Sequence, residues 1–335
     1  MPTSLPDSAP LTDTFGRRHT NLRVSVTDRC NLRCTYCMPE DVTFLDKKEL
    51  LTFEEITALV RVAASLGVDK VRLTGGEPLL RADLPKLAAM IVAVPGIADV
   101  GVTTNGLLLA RQAGPLWDAG LRRLNVSLDT LDPGRFRALA RRDGVEQVVE
   151  GLMAAKRAGF RVKVNAVAVR GFIDHDAVPL ARFCREHGFE LRFIEYMPIG
   201  AEAWEREKLV PAHELLELVE RGVGPLAPAA DYDPAAPAMD FAYADGGGRV
   251  GVIASVSRPF CRRCNRLRLT ADGKLRNCLF AHDETDVKGL LRAAPVDEAA
   301  VAEAVRACIR AKGEGHEINA ATFVKPARTM HAIGG

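Results

Sequence analysis

Two groups of three cysteines place the strongest constraint on how this chain can fold. They are Cys30, Cys34 and Cys37, in a C-x3-C-x2-C run, and Cys261, Cys264 and Cys278. Each group is one ligand short of the four that a structural metal site normally has. A [4Fe–4S] cluster also takes four thiolates as a rule, so three would leave one iron open to a small molecule. The fold must therefore bring each triad together where a ligand can reach it.

Zinc is the alternative interpretation of each triad. No histidine or fourth cysteine lies close enough to complete a zinc site at the first triad, and His19 does not have a zinc-finger spacing. At the second triad, three residues separate Cys278 from His282. The local spacing there is as compatible with a Cys3His zinc site as with an open cluster.

Further motifs accompany the triads along most of the chain. They are Tyr36, the segments 23–29, 74–78, 103–106, 125–129, 195–198 and 259–270, and the terminal Ile333-Gly334-Gly335. In this combination the chain resembles the GTP 3',8-cyclase family of radical S-adenosylmethionine (SAM) enzymes, from about Leu22 to its last residue. The resemblance favours a second open cluster over zinc at the second triad.

Strand and helix patterns alternate from Leu22 to about Met197. Short β-branched runs predict six strands, at 22–27, 70–75, 99–104, 123–129, 161–167 and 190–197. Helical spacing of apolar residues predicts helices at 52–66, 83–93, 144–158 and 175–187, with Thr52 and Asp83 as N-caps. Such alternation indicates parallel βα units. By resemblance, the fold is α/β, a partial (βα)6 TIM-like barrel that is open on one side.

The remaining chain is expected to cover the open side as a smaller C-terminal α+β region that carries the second cluster. A helix at 212–221, an Ala/Pro-rich loop at 222–237, hairpin strands at 241–243 and 249–256, and helices near 286–293 and 297–311 are predicted there. Residues 246–251 fit G-x-G-x-x-G but precede a strand, which indicates a hairpin turn. The predicted divisions are an N-terminal extension (1–21), the barrel (22–205), the cluster-binding region (206–320) and a tail (321–335).

Composition excludes several classes of partner. The net charge of +2 gives no overall attraction to nucleic acid or to a membrane surface. The first residues lack the charged and apolar regions of a signal peptide, and no stretch is apolar enough to span a membrane. We therefore expect a cytoplasmic protein without nucleic-acid or membrane partners. Cys184 and Cys308, outside the triads, are expected to be buried as small apolar residues.

The resemblance assigns roles to the cysteines and to residues near the strand ends. The predicted catalytic residues are Cys30, Cys34 and Cys37, which would hold the first cluster, and the terminal Gly334 and Gly335. The predicted SAM contacts are Tyr36, Gly76, Glu77, Ser127 and Met197. Glycine permits close approach of a backbone, and a carboxylate can pair with the ammonium group of SAM. Each of these residues taken alone would also fit an ordinary turn or core position.

Basic residues occur in strands that should be apolar, and Lys and Arg are seldom buried unpaired. The resemblance implies a bound triphosphate, which arginine forks and lysine charges would hold. The predicted GTP contacts are Arg23, Lys70, Arg72, Thr103, Lys163, Arg192, Arg266 and Arg268. Thr104 is the alternative to Thr103, and each cation alone could instead face solvent at a strand end.

The implied activity is conversion of GTP to (8S)-3',8-cyclo-7,8-dihydroguanosine 5'-triphosphate, the first step of molybdenum cofactor biosynthesis. It implies SAM, two [4Fe–4S] clusters, an external electron donor, hand-off of product to cyclic pyranopterin monophosphate synthase, and a homodimer. One rival is a two-cluster radical SAM enzyme that modifies a peptide, but a peptide does not need so many inward cations. The other rival is an iron–sulfur or zinc regulatory protein, which a six-unit barrel fits poorly.

Overall fold

The structure is a computed structural model and describes residues 10–200, 203–231 and 235–334. Within those residues the chain forms a twelve-stranded sheet. The strands are β1 (Asn21–Ser25), β2 (Lys70–Thr74), β3 (Asp99–Thr104), β4 (Arg123–Ser127), β5 (Arg161–Ala168), β6 (Glu190–Glu195), β7 (Leu226–Pro228), β8 (Met239–Tyr243), β9 (Arg249–Ile253), β10 (Arg266–Leu269), β11 (Lys274–Arg276) and β12 (Thr285–Asp286). Strands β1 to β6 pair in parallel in chain order. The six predicted barrel strands are confirmed, although β1 begins one residue earlier than expected.

The helices that connect these strands include every predicted one. The α-helices of the described residues are α1 (Phe53–Ser65), α2 (Leu84–Val92), α3 (Leu109–Asp118), α4 (Pro133–Ala140), α5 (Val145–Arg157), α6 (Ile173–His187), α7 (Ala212–Gly222), α8 (Lys288–Arg292), α9 (Glu298–Arg310) and α10 (Met330–Ile333). Thr52 caps α1 through a reciprocal capping box with Glu55, as its sequence indicates. Asp83 occupies the N-cap position of α2, as predicted, but its backbone is left-handed and its side chain makes no capping hydrogen bond within the described residues.

The C-terminal region continues the barrel sheet at both edges. Strand β10 pairs in parallel with β1, and β9 pairs in parallel with β6, so eight adjacent strands are parallel. Antiparallel strands β11 and β12 extend one edge, and β8 and β7 extend the other. The predicted loop at 222–237 contains β7, and its residues 232–234 lie outside the described part. Strands β8 and β9 pair as an antiparallel hairpin, so the G-x-G-x-x-G run begins in a hairpin turn, as predicted.

Burial alternates along the parallel strands and gives the sheet two different faces. On one face, residues such as Leu22, Leu73 and Leu124 are fully buried in a core that includes the surrounding helices. The alternate residues are only partly buried and point to the concave face, where a ligand can enter. Cys184 and Cys308 are buried in the core, as predicted. Among the described helices, none combines the length and apolar character needed to cross a bilayer.

Candidate active site

A cavity of about 580 Å³ lies against the concave face of the sheet and extends between the two cysteine triads. Alternate residues of β1, β2, β4, β5 and β6 line it, together with loops of the C-terminal region. Its lining includes all the predicted site residues except Gly334 and Gly335, and Gly335 is outside the described residues. The structure therefore brings together side chains that are up to about 250 positions apart in the chain.

The first triad lies in the loop that follows β1. The Cys37 amide donates to the Cys34 carbonyl at 2.9 Å, and the amides of Leu32 and of the Asn105 side chain approach the Cys30 sulfur at 3.4 and 3.9 Å. Burial raises the pKa of the Cys30 thiol to about 11 and that of Cys37 to about 12. Three free thiols in such surroundings ionise readily only beside a positive charge, and a metal cluster supplies that charge.

The glycine loop after β2 packs directly against the backbone that leads to the first triad. The Gly76 amide donates to the Thr27 carbonyl at 2.8 Å, and the Glu77 amide donates to the Arg29 carbonyl at 2.7 Å. A Cβ on Gly76 would lie 2.5 Å from the carbonyl oxygens of Asp28 and Arg29. Glycine is required here because the two backbones approach too closely for any side chain.

Glu77 is 1% exposed, and its carboxylate is held by the protein itself. One oxygen accepts hydrogen bonds from the Thr104 hydroxyl at 2.7 Å and the Leu79 amide at 2.9 Å, while the other accepts from the Asn105 amide at 2.6 Å. Burial raises the pKa of Glu77 to about 7, although these hydrogen bonds oppose the shift. Glu77 thus fixes the loops after β2 and β3, and its direct contact with SAM stays a prediction.

Thr103 and Thr104 have different surroundings, which bears on the choice between them. The Thr104 hydroxyl is engaged with Glu77 and with the Gly106 amide, and the residue is 1% exposed. Thr103 is only partly buried on the cavity side. This difference favours Thr103 as the ligand-facing residue.

Tyr36 joins the first triad to the end of β4. Its hydroxyl donates to Asp129 at 2.6 Å, and the other Asp129 oxygen accepts from the Val167 amide at 2.7 Å. Burial raises the pKa of Asp129 to about 6. Ser127 and Met197, two other predicted SAM contacts, line the same cavity. Tyr36 therefore positions the cysteine loop, a role that sequence reasoning did not assign to it.

The second triad borders the same cavity from the opposite side. Cys261 lies in a short 3-10 turn, Cys264 follows it, and Cys278 follows β11. The Lys312 ammonium and the Arg266 guanidinium each lie 3.6 Å from the Cys264 sulfur. Burial raises the pKa of Cys264, but these two cations outweigh it and lower the pKa to about 6.

The Cys3His alternative does not form in the described residues. His282 is exposed, and within these residues no three His, Cys, Asp or Glu side chains converge closely enough to hold a single metal ion. The ligands of a four-iron cluster are spread around a larger body than one ion. Within the described residues, the Cys3His zinc alternative is therefore not supported.

Five of the predicted GTP-binding cations form no salt bridge with a carboxylate of the described residues. They are Arg23, Lys70, Arg72, Arg266 and Arg268. Burial, followed by repulsion from neighbouring arginines, lowers the pKa of Arg72 and that of Arg268 to about 9. The Arg23 Nε is buried and has no hydrogen-bond partner in the part of the chain that the structure describes. Positive charge at this density is stabilised when an anion binds.

Lys163 and Arg192 differ from this set because each already has an acidic partner. Glu190 pairs with Lys163 at 2.6 Å and with Arg192 at 2.7 Å, and Asp240 lies 3.2 Å from Arg192. Sequence reasoning missed both carboxylates. The signal was available for Glu190, which lies two residues before Arg192 and so on the same face of β6.

The described part of the terminal segment reaches the cavity wall, which Met330 and His331 line. Gly334 has a positive φ of 88°, and its carbonyl accepts a hydrogen bond from the Arg268 guanidinium. A Cβ on Gly334 would lie 2.9 Å from the Thr74 methyl group and 3.1 Å from the Ser25 Cβ. Glycine is therefore needed for the segment to reach the ends of β1 and β2.

Comparison with known proteins identifies the family. A sequence model of the radical SAM superfamily matches residues 24–184, and one named Molybdenum Cofactor Synthesis C matches residues 189–318. The GTP 3',8-cyclase of Rhodopirellula baltica is 46% identical over alignments covering 100% of this chain and 94% of the relative. The GTP 3',8-cyclase of Streptomyces coelicolor is 48% identical, with coverage of 97% and 96%. The chain belongs to the GTP 3',8-cyclase family.

The crystal structure of Streptococcus suis SuiB bound to S-adenosylmethionine has a similar fold, with a TM-score of 0.62 and 17% identity over 91% of this chain and 68% of that one. This likeness confirms the radical SAM fold predicted from the sequence. Membership of the GTP 3',8-cyclase family makes the chain a radical SAM enzyme, with SAM and a [4Fe–4S] cluster. The first triad has the donors and the surroundings that such a cluster requires.

Sequence reasoning missed Arg17, which ties the N-terminal extension to the second triad. Its guanidinium donates to the carbonyls of Cys261 at 2.8 Å, Glu314 at 2.8 Å and Gly313 at 2.7 Å, and pairs with Asp13. Nothing in the local pattern of residues 10–20 indicates contacts with positions more than 240 residues away. The extension is therefore part of the site's framework in this member of the GTP 3',8-cyclase family.

Replacing Gly76 with alanine is expected to disrupt the first triad, because the added Cβ would collide with backbone that cannot move aside cheaply. We expect loss of most of the iron held by this triad and at least about a tenfold fall in SAM affinity. Anaerobic reconstitution with iron analysis and equilibrium dialysis would measure both. The matched control is Gly114→Ala, since a Cβ on Gly114 would meet no atom within 4 Å. Parent-like iron content and SAM affinity in Gly76→Ala would contradict the close-approach argument.

Proposed function

We propose that this protein converts GTP to (8S)-3',8-cyclo-7,8-dihydroguanosine 5'-triphosphate in the cytoplasm, as the first step of molybdenum cofactor biosynthesis. The observation that carries the proposal is the group of five cations that line the cavity and form no salt bridge with a carboxylate of the described residues. A nucleoside triphosphate has the charge and the length to span such a cavity. The GTP 3',8-cyclase names of the relatives support the same substrate.

Cys30, Cys34 and Cys37 would hold the first cluster, and the residues around Gly76, Ser127 and Met197 would contact SAM. When bound, the cluster and SAM together supply a 5'-deoxyadenosyl radical that removes a hydrogen atom from the substrate. The protein's part is to orient the two small molecules and to exclude water from the cavity. The hydrogen bonds of Glu77 and Tyr36 support this role, because they hold the loops around the triad in place.

The second triad would hold a second [4Fe–4S] cluster whose open iron anchors the guanine base. Arg266 and Lys312, beside the Cys264 sulfur, would stabilise a thiolate there. The Arg266 guanidinium also faces the Phe260 ring at 4.5 Å, which orients it toward the cavity. About eight irons per chain after anaerobic reconstitution would support two clusters, whereas about four would contradict the second.

The test of the function is an anaerobic assay with GTP, SAM and a strong reductant. We expect 5'-deoxyadenosine together with a cyclised nucleotide that retains the triphosphate. SAM cleavage with no GTP-derived product would overturn the substrate while leaving the radical SAM chemistry intact. A peptide-modifying activity would then become the leading alternative.

Arg72→Ala is expected to weaken GTP binding about tenfold to a hundredfold, the loss that follows removal of a charged hydrogen bond. Arg72 has no carboxylate partner in the described residues, so little of its charge is compensated before GTP arrives. SAM cleavage without GTP should persist. Arg111→Ala, on the exposed side of α3, is the matched control. Equal GTP affinity in Arg72→Ala and the parent, measured by calorimetry, would show that Arg72 only packs against Asn125.

The remaining partners are inferred from the chemistry of the family. Reduction of the first cluster requires an external electron donor, and the product would pass to cyclic pyranopterin monophosphate synthase. A homodimer is part of the same proposal, and sedimentation analysis of the reconstituted enzyme would test it.

A further inference from the structure

Arg328, near the start of the terminal segment, binds two carboxylates at once. Its guanidinium lies 2.8 Å from Asp272 and 2.8 Å from Glu284, with additional hydrogen bonds to the same residues at 3.2 and 2.9 Å. The three side chains are 25%, 13% and 18% exposed, respectively. Ion pairs of this forked, partly buried kind are stronger than single surface pairs.

The other end of the segment is held by separate contacts. The Gly334 carbonyl accepts from Arg268, and Ile333 is buried in a small apolar cluster with Phe280 and Ile318. Between the two ends, His331 lines the cavity together with Cys37, and its backbone lowers the pKa of the Cys37 thiol against the larger effect of burial. The segment therefore touches the first triad while both of its ends are attached elsewhere.

Both attachment points are connected to one hairpin. Asp272 lies in the turn between β10 and β11, while Arg268 lies in β10. The partner of Glu284 in the hairpin is Arg276, a fully buried residue of β11. The hairpin follows Cys264 and precedes Cys278, so it is also the scaffold of the second triad.

We propose that Arg328 is a positioning residue for cyclisation, which holds the terminal segment on the β10–β11 hairpin so that Gly334 stays against the ends of β1 and β2. Arg328 does not line the cavity itself, and it acts through Gly334. Because it ties the segment to the scaffold of the second triad, Arg328 keeps residues 329–334 in a fixed position relative to the substrate. This inference rests on the proposed conversion of GTP.

The test compares reconstituted Arg328→Gln with the parent enzyme under anaerobic conditions. We expect unchanged iron content and GTP affinity, but about a tenfold or greater fall in cyclised product per 5'-deoxyadenosine, since a charged hydrogen-bond network is lost. Arg328→Lys, which keeps one ion pair, should recover part of this ratio. Arg310→Gln is the matched control, because that arginine pairs with Glu303 on the surface of α9. An unchanged product ratio in Arg328→Gln would overturn the proposal.

Amide hydrogen exchange separates this proposal from the proposed function. Residues 329–334 should exchange faster in Arg328→Gln than in the parent, whereas exchange of α9 should not change. This readout requires no turnover. If the parent makes no product from GTP, the proposed function fails. The exchange data still test the role of Arg328 in that case. Equal exchange of residues 329–334 in the two proteins would overturn that role.

Discussion

Cys34→Ala is expected to abolish reductive cleavage of SAM. The variant retains two thiolates of the first triad, and a cluster that has lost one of its three protein ligands cannot keep its open iron in place for SAM. Cys34 lines the cavity together with Cys30 and Cys37. The measurement is 5'-deoxyadenosine formed under anaerobic conditions with dithionite.

The matched control for this variant is Cys184→Ala. Cys184 is 1% exposed in α6, does not line the cavity, and differs from alanine by a single sulfur. It should retain parent-like cleavage. Cleavage by Cys34→Ala at the parent rate would show that the first triad does not hold the catalytic cluster.

Deleting Gly334 and Gly335 is expected to remove nearly all product formation while iron content and GTP binding persist. Gly334 reaches a space between Thr74 and Ser25 that admits no Cβ, and its carbonyl engages Arg268. Terminal residues without such contacts are normally dispensable. Gly335 lies outside the described residues, and its role stays a prediction from the family resemblance.

A tag provides a second form of the same experiment. Residues added after Gly335 should reduce product formation as the deletion does, whereas the same residues added before Met1 should not. Full turnover by the truncated enzyme and the C-terminally tagged enzyme would show that the terminus is dispensable.

The barrel was predictable because its signals are local. Short β-branched runs in the sequence mark β1 to β6, and Thr52 caps α1 where the sequence predicts an N-cap. The cysteine spacing and the glycine loop after β2 can also be recognised from neighbouring residues alone. These predicted positions line one cavity, and their contacts with SAM and GTP remain proposals.

The missed features all depend on distant partners. Strand β10 was not predicted because its sequence alternates arginine and leucine, and only pairing with β1 makes it a sheet strand. Likewise, Asp240 reaches Arg192 only because β8 joins the far edge of the sheet. Arg17 and Arg328 bind residues of other elements, and no periodicity in the sequence predicts such contacts.

In the proposed reaction, GTP lies in this cavity with its ribose facing the radical formed from SAM. The most direct test is an anaerobic reaction with GTP that carries deuterium at the ribose 3' position, followed by mass spectrometry of 5'-deoxyadenosine. We predict that the deuterium appears in 5'-deoxyadenosine, in step with formation of the cyclised triphosphate. Unlabelled 5'-deoxyadenosine alongside unreacted, fully deuterated GTP would contradict the account.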